Sequence, residues 1–236
     1  MAADIEEAET AAPARTVSGN AWLPYVAPMA VFMLITAVEG QFKSQYPLVY
    51  IIKVMAVSLC VWYSREPFRE IKPEGRFILP AVLVGAAVFA EWIWLDPLTH
   101  YPHLVFLGKR AEYNPFVSIA NPVVRAFFLV ARFYGLALLV PLVEEVFWRS
   151  FLLRIFTDPD DFQRVKLGAF SWTAFAAVAV AFGLAHPEWL EAIICAAAYG
   201  LLLRQTKSLF ACVVAHATTN LMLGIYVITQ HAWNFW

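Results

Sequence analysis

Seven apolar stretches, at about 22–38, 46–63, 77–95, 123–140, 167–186, 190–206 and 209–230, dominate the chain. Each is near the ~20 helical residues needed to cross a hydrocarbon layer. Such a layer offers the backbone no hydrogen-bond partners, so a segment that crosses it must satisfy its own amides, and single crossings do so as helices. The expected fold is therefore all-α: a polytopic transmembrane helix bundle of about seven spans, with six to eight as the range. With 61% hydrophobic and 15% charged residues and a mean hydropathy of +0.63, the chain is too apolar for an ordinary soluble domain. A net charge of −1 and the lack of a glycine-rich phosphate loop argue against a nucleic-acid or nucleotide partner.

Punctuation separates the spans at Glu66-Pro67, Pro73-Glu74-Gly75, Asp96-Pro97, Asn114-Pro115, Asn121-Pro122 and Asp158-Pro159-Asp160-Asp161. Residues 1–20, with Asp4, Glu6, Glu7 and Glu9, read as a disordered acidic tail, lacking the basic start and apolar run of a secretory signal. Residues 21–236 read as a single transmembrane helical domain. Segment 141–156 continues the fourth span as an amphipathic helix after Pro141, which removes a backbone donor and favours a bend three residues before Glu144.

Basic residues set the expected orientation. Arg65, Arg69, Lys72 and Arg76 fall between the second and third spans, Arg154, Arg164 and Lys166 between the fourth and fifth, and Arg204 and Lys207 between the sixth and seventh. The alternate loops carry only Lys43, Lys109 and Arg110. This pattern fits a cytoplasmic N-terminus and an external C-terminus, with Trp92, Trp94, Trp189, Trp233 and Trp236 near the outer interface.

Against this apolar background, a few polar side chains stand out. Ionisable groups in hydrocarbon cost several kcal/mol unless they satisfy one another, so they mark function. Glu145 and Arg149 are one helical turn apart and suit an ion pair, while Glu144 points about 100° away. A carboxylate withdrawn from water is a competent proton acceptor near neutral pH. His186 ends a small-residue helix and has Phe182 one turn before it on the same face. His216 lies mid-span with Asn220 one turn on, two hydrogen-bonding groups aimed at one place, as an oxyanion requires. Interhelical hydrogen bonding explains a lone His or Asn equally well. An acid, two imidazoles and an amide together make a hydrolytic set.

These residues resemble a known family. Glu144-Glu145-Val-Phe-Trp-Arg149, Phe182-Gly-Leu-Ala-His186 and His216-Ala-Thr-Thr-Asn220 are similar to the EExxxR, FxxxH and HxxxN/D motifs of the CAAX-protease and bacteriocin-processing membrane proteins, which include the type II CAAX prenyl endopeptidases. The resemblance covers 141–220, the motif core. It implies a glutamate-dependent intramembrane endopeptidase with no obligatory metal or other cofactor, acting on a membrane-associated protein or peptide, lipidated or not. Carried over, Glu144 would be the general base, His186 its water-positioning partner, and His216 with Asn220 the oxyanion hole. Glu145, Arg149 and Phe182 would support them. Ser150, where the family often has Gly, is a departure expected to have little consequence. In size and organisation the chain is also similar to a subgroup encoded beside bacterial exosortase-type sorting systems, which implies a role in processing sorted surface proteins; the expected location is the bacterial inner membrane.

Other chemistry fits the same residues. Glu144, His186 and His216 would make a catalytic zinc set, although the HExxH spacing is missing. Cys212, one turn before His216, would offer a thiol and imidazole pair, although a lone Cys in an apolar span is more often inert. A catalytically silent accessory or immunity-type protein would keep the same packing. At ~1.5 Å per residue, Glu144 and His186 would not lie level if the fifth helix began at 167, so a start near 172 after an ordered loop is expected. Glu91 is expected to pair with Arg132 or Arg125, Lys53 to snorkel or meet Glu39, and Glu188 and Glu191 to complement the start of the sixth helix.

Overall fold

A computed structural model describes residues 20–95 and 112–235. The tail expected over 1–20, apart from Asn20, lies outside the described residues, as do Lys109, Arg110 and Trp236. We label the long helices in chain order: α1 Leu23–Glu39, α2 Tyr46–Tyr63, α3 Ile78–Leu95, α4 Pro122–Ile155, α5 Trp172–Leu184, α6 Trp189–Thr206 and α7 Leu209–Gln230. No strand occurs among the described residues. The helices α2, α3, α4 and α7 are long and apolar enough to cross a membrane, while α1 and α5 are apolar but shorter, at 17 and 13 residues. The protein is an all-helical membrane bundle.

Two local features of the spans shape the interior. The fourth span and its amphipathic extension form one 34-residue helix, as their continuity in the sequence suggested. Asn121 starts it by accepting from Val123 N at 2.9 Å and Val124 N at 3.2 Å, and Pro122 fills the first turn, where a missing N–H is harmless. Inside α4 the backbone widens to π-helix over Gly135–Leu139 and Val146–Leu152, on either side of the Glu144–Glu145 pair. The fifth helix begins at Trp172, as the depth estimate required, after Ser171 caps it by accepting from Ala174 N. Its 13 residues rise only ~20 Å, short of a ~30 Å hydrocarbon layer.

Successive helices alternate in direction, giving the bundle a basic end and an opposite end. At the basic end, Glu70 ties α1 to α4. It accepts from Tyr25 Oη at 2.8 Å, from Ser150 Oγ at 2.5 Å and from Arg154 Nη2 at 2.8 and 3.0 Å. Ser150 is fully buried in this network, so the departure from the family's Gly matters after all: its hydroxyl helps anchor the end of α4. Arg76 beside Glu74, with Ser208 assisting, holds the Glu74 carboxyl below its ordinary range. Glu70→Ala would leave the Arg154 side chain, 9% exposed, without its counter-charge. Thermal unfolding in detergent should show a loss of about 1–3 kcal/mol, with a smaller loss for Ser150→Gly.

The motif-bearing α7 packs along α3, and close approach is built in at Gly85. A Cβ there would lie 2.3 Å from the Ala215 carbonyl oxygen, one residue before His216. The same packing overturns the expected Glu91 pairing. Because α3 packs on α6 and α7 while the first half of α4 packs on α2, Glu91 faces Glu191, and Arg132 lies 4.6 Å over the Tyr50 ring. Arg125 instead donates to the Ile119 carbonyl at 3.1 Å. Lys53 meets Glu39 at 2.6 Å, and Glu188 and Glu191 stand at the cap and first turn of α6. Trp92 is not interfacial: it is buried with its ring edge-on to His186 at 6.3 Å.

Candidate active site

Three helices and one turn bring the motif residues to a cavity of about 730 Å³. Glu144 of α4, Phe182 of α5, His186 on the 185–188 turn, and His216 and Asn220 of α7 all line it. Glu145 and Arg149 stand behind this wall, 0% and 1% exposed. All seven residues singled out in the sequence thus meet at one place, although 76 positions separate the first from the last.

The two imidazoles are oriented by what their Nδ1 atoms touch. His186 Nδ1 lies 2.8 Å from the Phe182 carbonyl oxygen, which can only accept, so Nδ1 carries the proton. Neutral His186 therefore keeps its lone pair on Nε2. Its ring stacks on Phe182 with centroids 4.4 Å apart, which fixes its plane. His216 Nδ1 lies 2.8 Å from Glu145 Oε1, so Nδ1–H donates to the carboxylate. With Nδ1 so engaged, His216 donates through Nε2 only when both ring nitrogens carry protons. Glu145 Oε1 also meets Arg149 Nη1 at 3.2 Å, as the i,i+4 spacing predicted. Arg149 is held between the Phe182 and Tyr199 rings, at 4.8 and 5.3 Å.

Asn220 has a second task. Val140 N donates to the Gly135 carbonyl in π register, so the Leu136 carbonyl faces Pro141, which has no N–H to offer. Asn220 Nδ2 supplies the missing donor at 2.8 Å. The side chain from α7 thereby repairs the proline gap in α4, one turn from Glu144, and one amide N–H is left for other use. Asn220→Asp removes that donor and sets a carboxylate against a carbonyl. A stability loss of about 1–3 kcal/mol should accompany any loss of activity, read as paired shifts in Tm and turnover; a residue serving only an oxyanion would leave Tm in place.

Sequence reasoning missed Tyr199 and Thr219. Tyr199, 0% exposed, lies under His216 with ring centroids 5.5 Å apart and shares a 2.7 Å hydrogen bond with Thr219 Oγ1, which also donates to the Gly85 carbonyl at 2.7 Å. Neither carries a motif signal, since a Tyr and a Thr in apolar helix look like packing. Cys212 Sγ donates to the Tyr199 carbonyl at 3.5 Å and the His216 Nδ1 is engaged by Glu145, so the thiol and imidazole pair does not form. Among the described residues, no three His, Cys, Asp or Glu side chains converge as a metal-binding group.

Residues 126–222 match the model of the Rce1-like type II CAAX prenyl endopeptidases. The core of this chain is similar to that family. The match runs from α4 into α7 and so includes every residue of the site. No curated protein and no solved structure matches the chain. The similarity is to a peptidase family, and the four helices long and apolar enough to span a bilayer suit an integral membrane protein.

Proposed function

We propose that the cavity hydrolyses a peptide bond within a membrane-associated protein or peptide, with Glu144 as the general base. The observation that carries this reading is the shared cavity wall: Glu144, His186, His216 and Asn220 border one space inside a match to a peptidase family. Water held at His186 Nε2 gives a proton to Glu144 as its oxygen attacks the carbonyl carbon. The charge that develops on the carbonyl oxygen is met by protonated His216 and the second N–H of Asn220. The C–N bond then breaks, and Glu144 returns the proton to the departing amine. Glu145 keeps His216 oriented, much as a carboxylate serves the imidazole of a hydrolytic triad.

A cavity of this size accommodates several peptide residues. Lys53, Glu39, Arg132, Tyr46 and Tyr50 on its wall give a peptide polar and aromatic partners beyond the reacting groups. The proposed setting is the bacterial inner membrane, with a substrate of the CAAX or sorting-related kind. Mass spectrometry of membrane-protein termini from matched strains, one carrying the wild-type chain and one Glu144→Gln, tests the reading. A new terminus confined to the wild type, reproduced by purified protein in detergent with chelator present, is the expected result. Chelator-sensitive cleavage would favour zinc, and identical termini in both strains would favour a silent accessory protein.

A further inference from the structure

Taking the cavity as the hydrolytic site proposed above, we infer that it receives its substrate from the non-cytoplasmic side of the membrane, so that the peptide cut belongs to an exported protein. Two independent observations meet in this inference: the distribution of basic residues and the direction in which the cavity opens.

The loops at the basic end carry four Lys or Arg over 64–76, three over 154–166 and two over 204–207. At the opposite end, among the described residues, Lys43 lies between spans and Arg125 in the first turn of α4, and the sequence between α3 and α4 adds Lys109 and Arg110. Lys and Arg near span ends are retained on the cytoplasmic side, so the basic end faces the cytoplasm.

The cavity opens the other way. From Glu144 and His216 it extends along Leu223, Val227, Thr36 and Tyr46 to Glu39, Gly40, Lys43 and Phe235, all toward or at the opposite end. No residue of 64–77, 154–171 or 204–209 lines it. The turn after the short α5 brings His186 to the cavity wall.

Beneath the site the bundle is packed shut. Tyr25, Val146, Phe151, Phe162 and Leu209 form a buried apolar cluster between the reacting groups and the cytoplasmic loops. The Glu70 network lies over it, and Lys207 Nζ donates to the Gly168 carbonyl. His216 is seven residues from the start of α7 and Glu144 eleven from the end of α4, a plug about 10–16 Å thick at 1.5 Å per residue. A void at that end, beside Phe170 and Arg204, holds about 10 Å³, room for one water and not a peptide.

Thiol labelling tests the direction without relying on catalysis. In a full-length background with Cys60, Cys195 and Cys212 replaced by Ala, single cysteines are placed at Leu223 on the cavity wall, at Lys43 on the exposed mouth and at Arg69 in the basic loops. Right-side-out and inside-out membrane vesicles are exposed to a sulfonated methanethiosulfonate that cannot cross bilayers. Leu223→Cys and Lys43→Cys should react in right-side-out vesicles and lose that labelling in inside-out ones, with Arg69→Cys showing the reverse. Labelling of Leu223→Cys from the cytoplasmic face, from both faces or from neither would overturn the inference. If the Leu223 variant fails to fold, Lys43→Cys gives the orientation alone, and cytoplasmic reaction there overturns it equally. The same pattern should hold in a Glu144→Gln background, so the absence of peptidase activity would not be mistaken for the wrong direction of access.

Discussion

Glu144→Gln is expected to reduce peptide cleavage by about 10²–10⁴-fold, the range for loss of a general base, while leaving the folded protein as stable as the wild type. The amide keeps the volume of the carboxylate and its hydrogen-bonding atoms but cannot take a proton from water. Glu144 is 5% exposed and lines the cavity, whereas its neighbour Glu145 is engaged by His216 and Arg149. The two adjacent carboxylates should therefore separate cleanly. Turnover of a defined peptide in detergent, with Tm measured on the same preparations, makes the comparison. A Glu144→Gln protein that retains wild-type turnover would sink the assignment of Glu144 as base.

Arg149→Met is expected to have the largest effect on stability. It leaves the wholly buried Glu145 carboxylate with only His216 as a partner, and breaking one side of a buried pair costs about 3–5 kcal/mol. Arg149 also fills the gap between Phe182 and Tyr199, two rings that position His186 and His216 respectively. Activity should fall as well, through loosened imidazoles. Glu145→Gln combined with Arg149→Met removes both charges, and it should recover most of the lost stability without recovering activity, since His216 would lack the carboxylate that orients its ring. Chemical or thermal unfolding of the two single variants and the double variant measures the coupling directly. A double variant as unstable as Arg149→Met would show that the buried pair is not the origin of the loss.

Much of this arrangement was legible in one dimension because it is local. The Glu145–Arg149 pair follows from 3.6 residues per turn, and the stacking of Phe182 on His186 from the same periodicity. The start of α5 at Trp172 followed from depth arithmetic alone, since reacting groups must lie level and the rise per residue is constant. What could not be read depended on how helices rotate against one another. Glu91 was paired with an arginine on the assumption that consecutive spans face each other, yet α3 packs on α6 and α7 and turns that carboxylate toward Glu191. Ser150 looked dispensable because its partner, Glu70, lies 80 residues earlier. Trp92 looked interfacial because aromatic rings favour that layer, whereas here it is packed against His186.

By itself, the sequence determined that the chain is a helical membrane protein and which polar side chains would have to find one another, because lipid leaves neither backbone nor charge a tolerable alternative. Only the tertiary structure decided how those side chains divide the work. It turned His216 Nδ1 toward Glu145, spent an Asn220 donor on the carbonyl that Pro141 leaves unsatisfied, and packed one end of the bundle shut beneath the cavity. Each of those outcomes depends on contacts between residues tens of positions apart, whose geometry is set by helix rotation and close packing, and neither is written in the spacing of residues along a single helix.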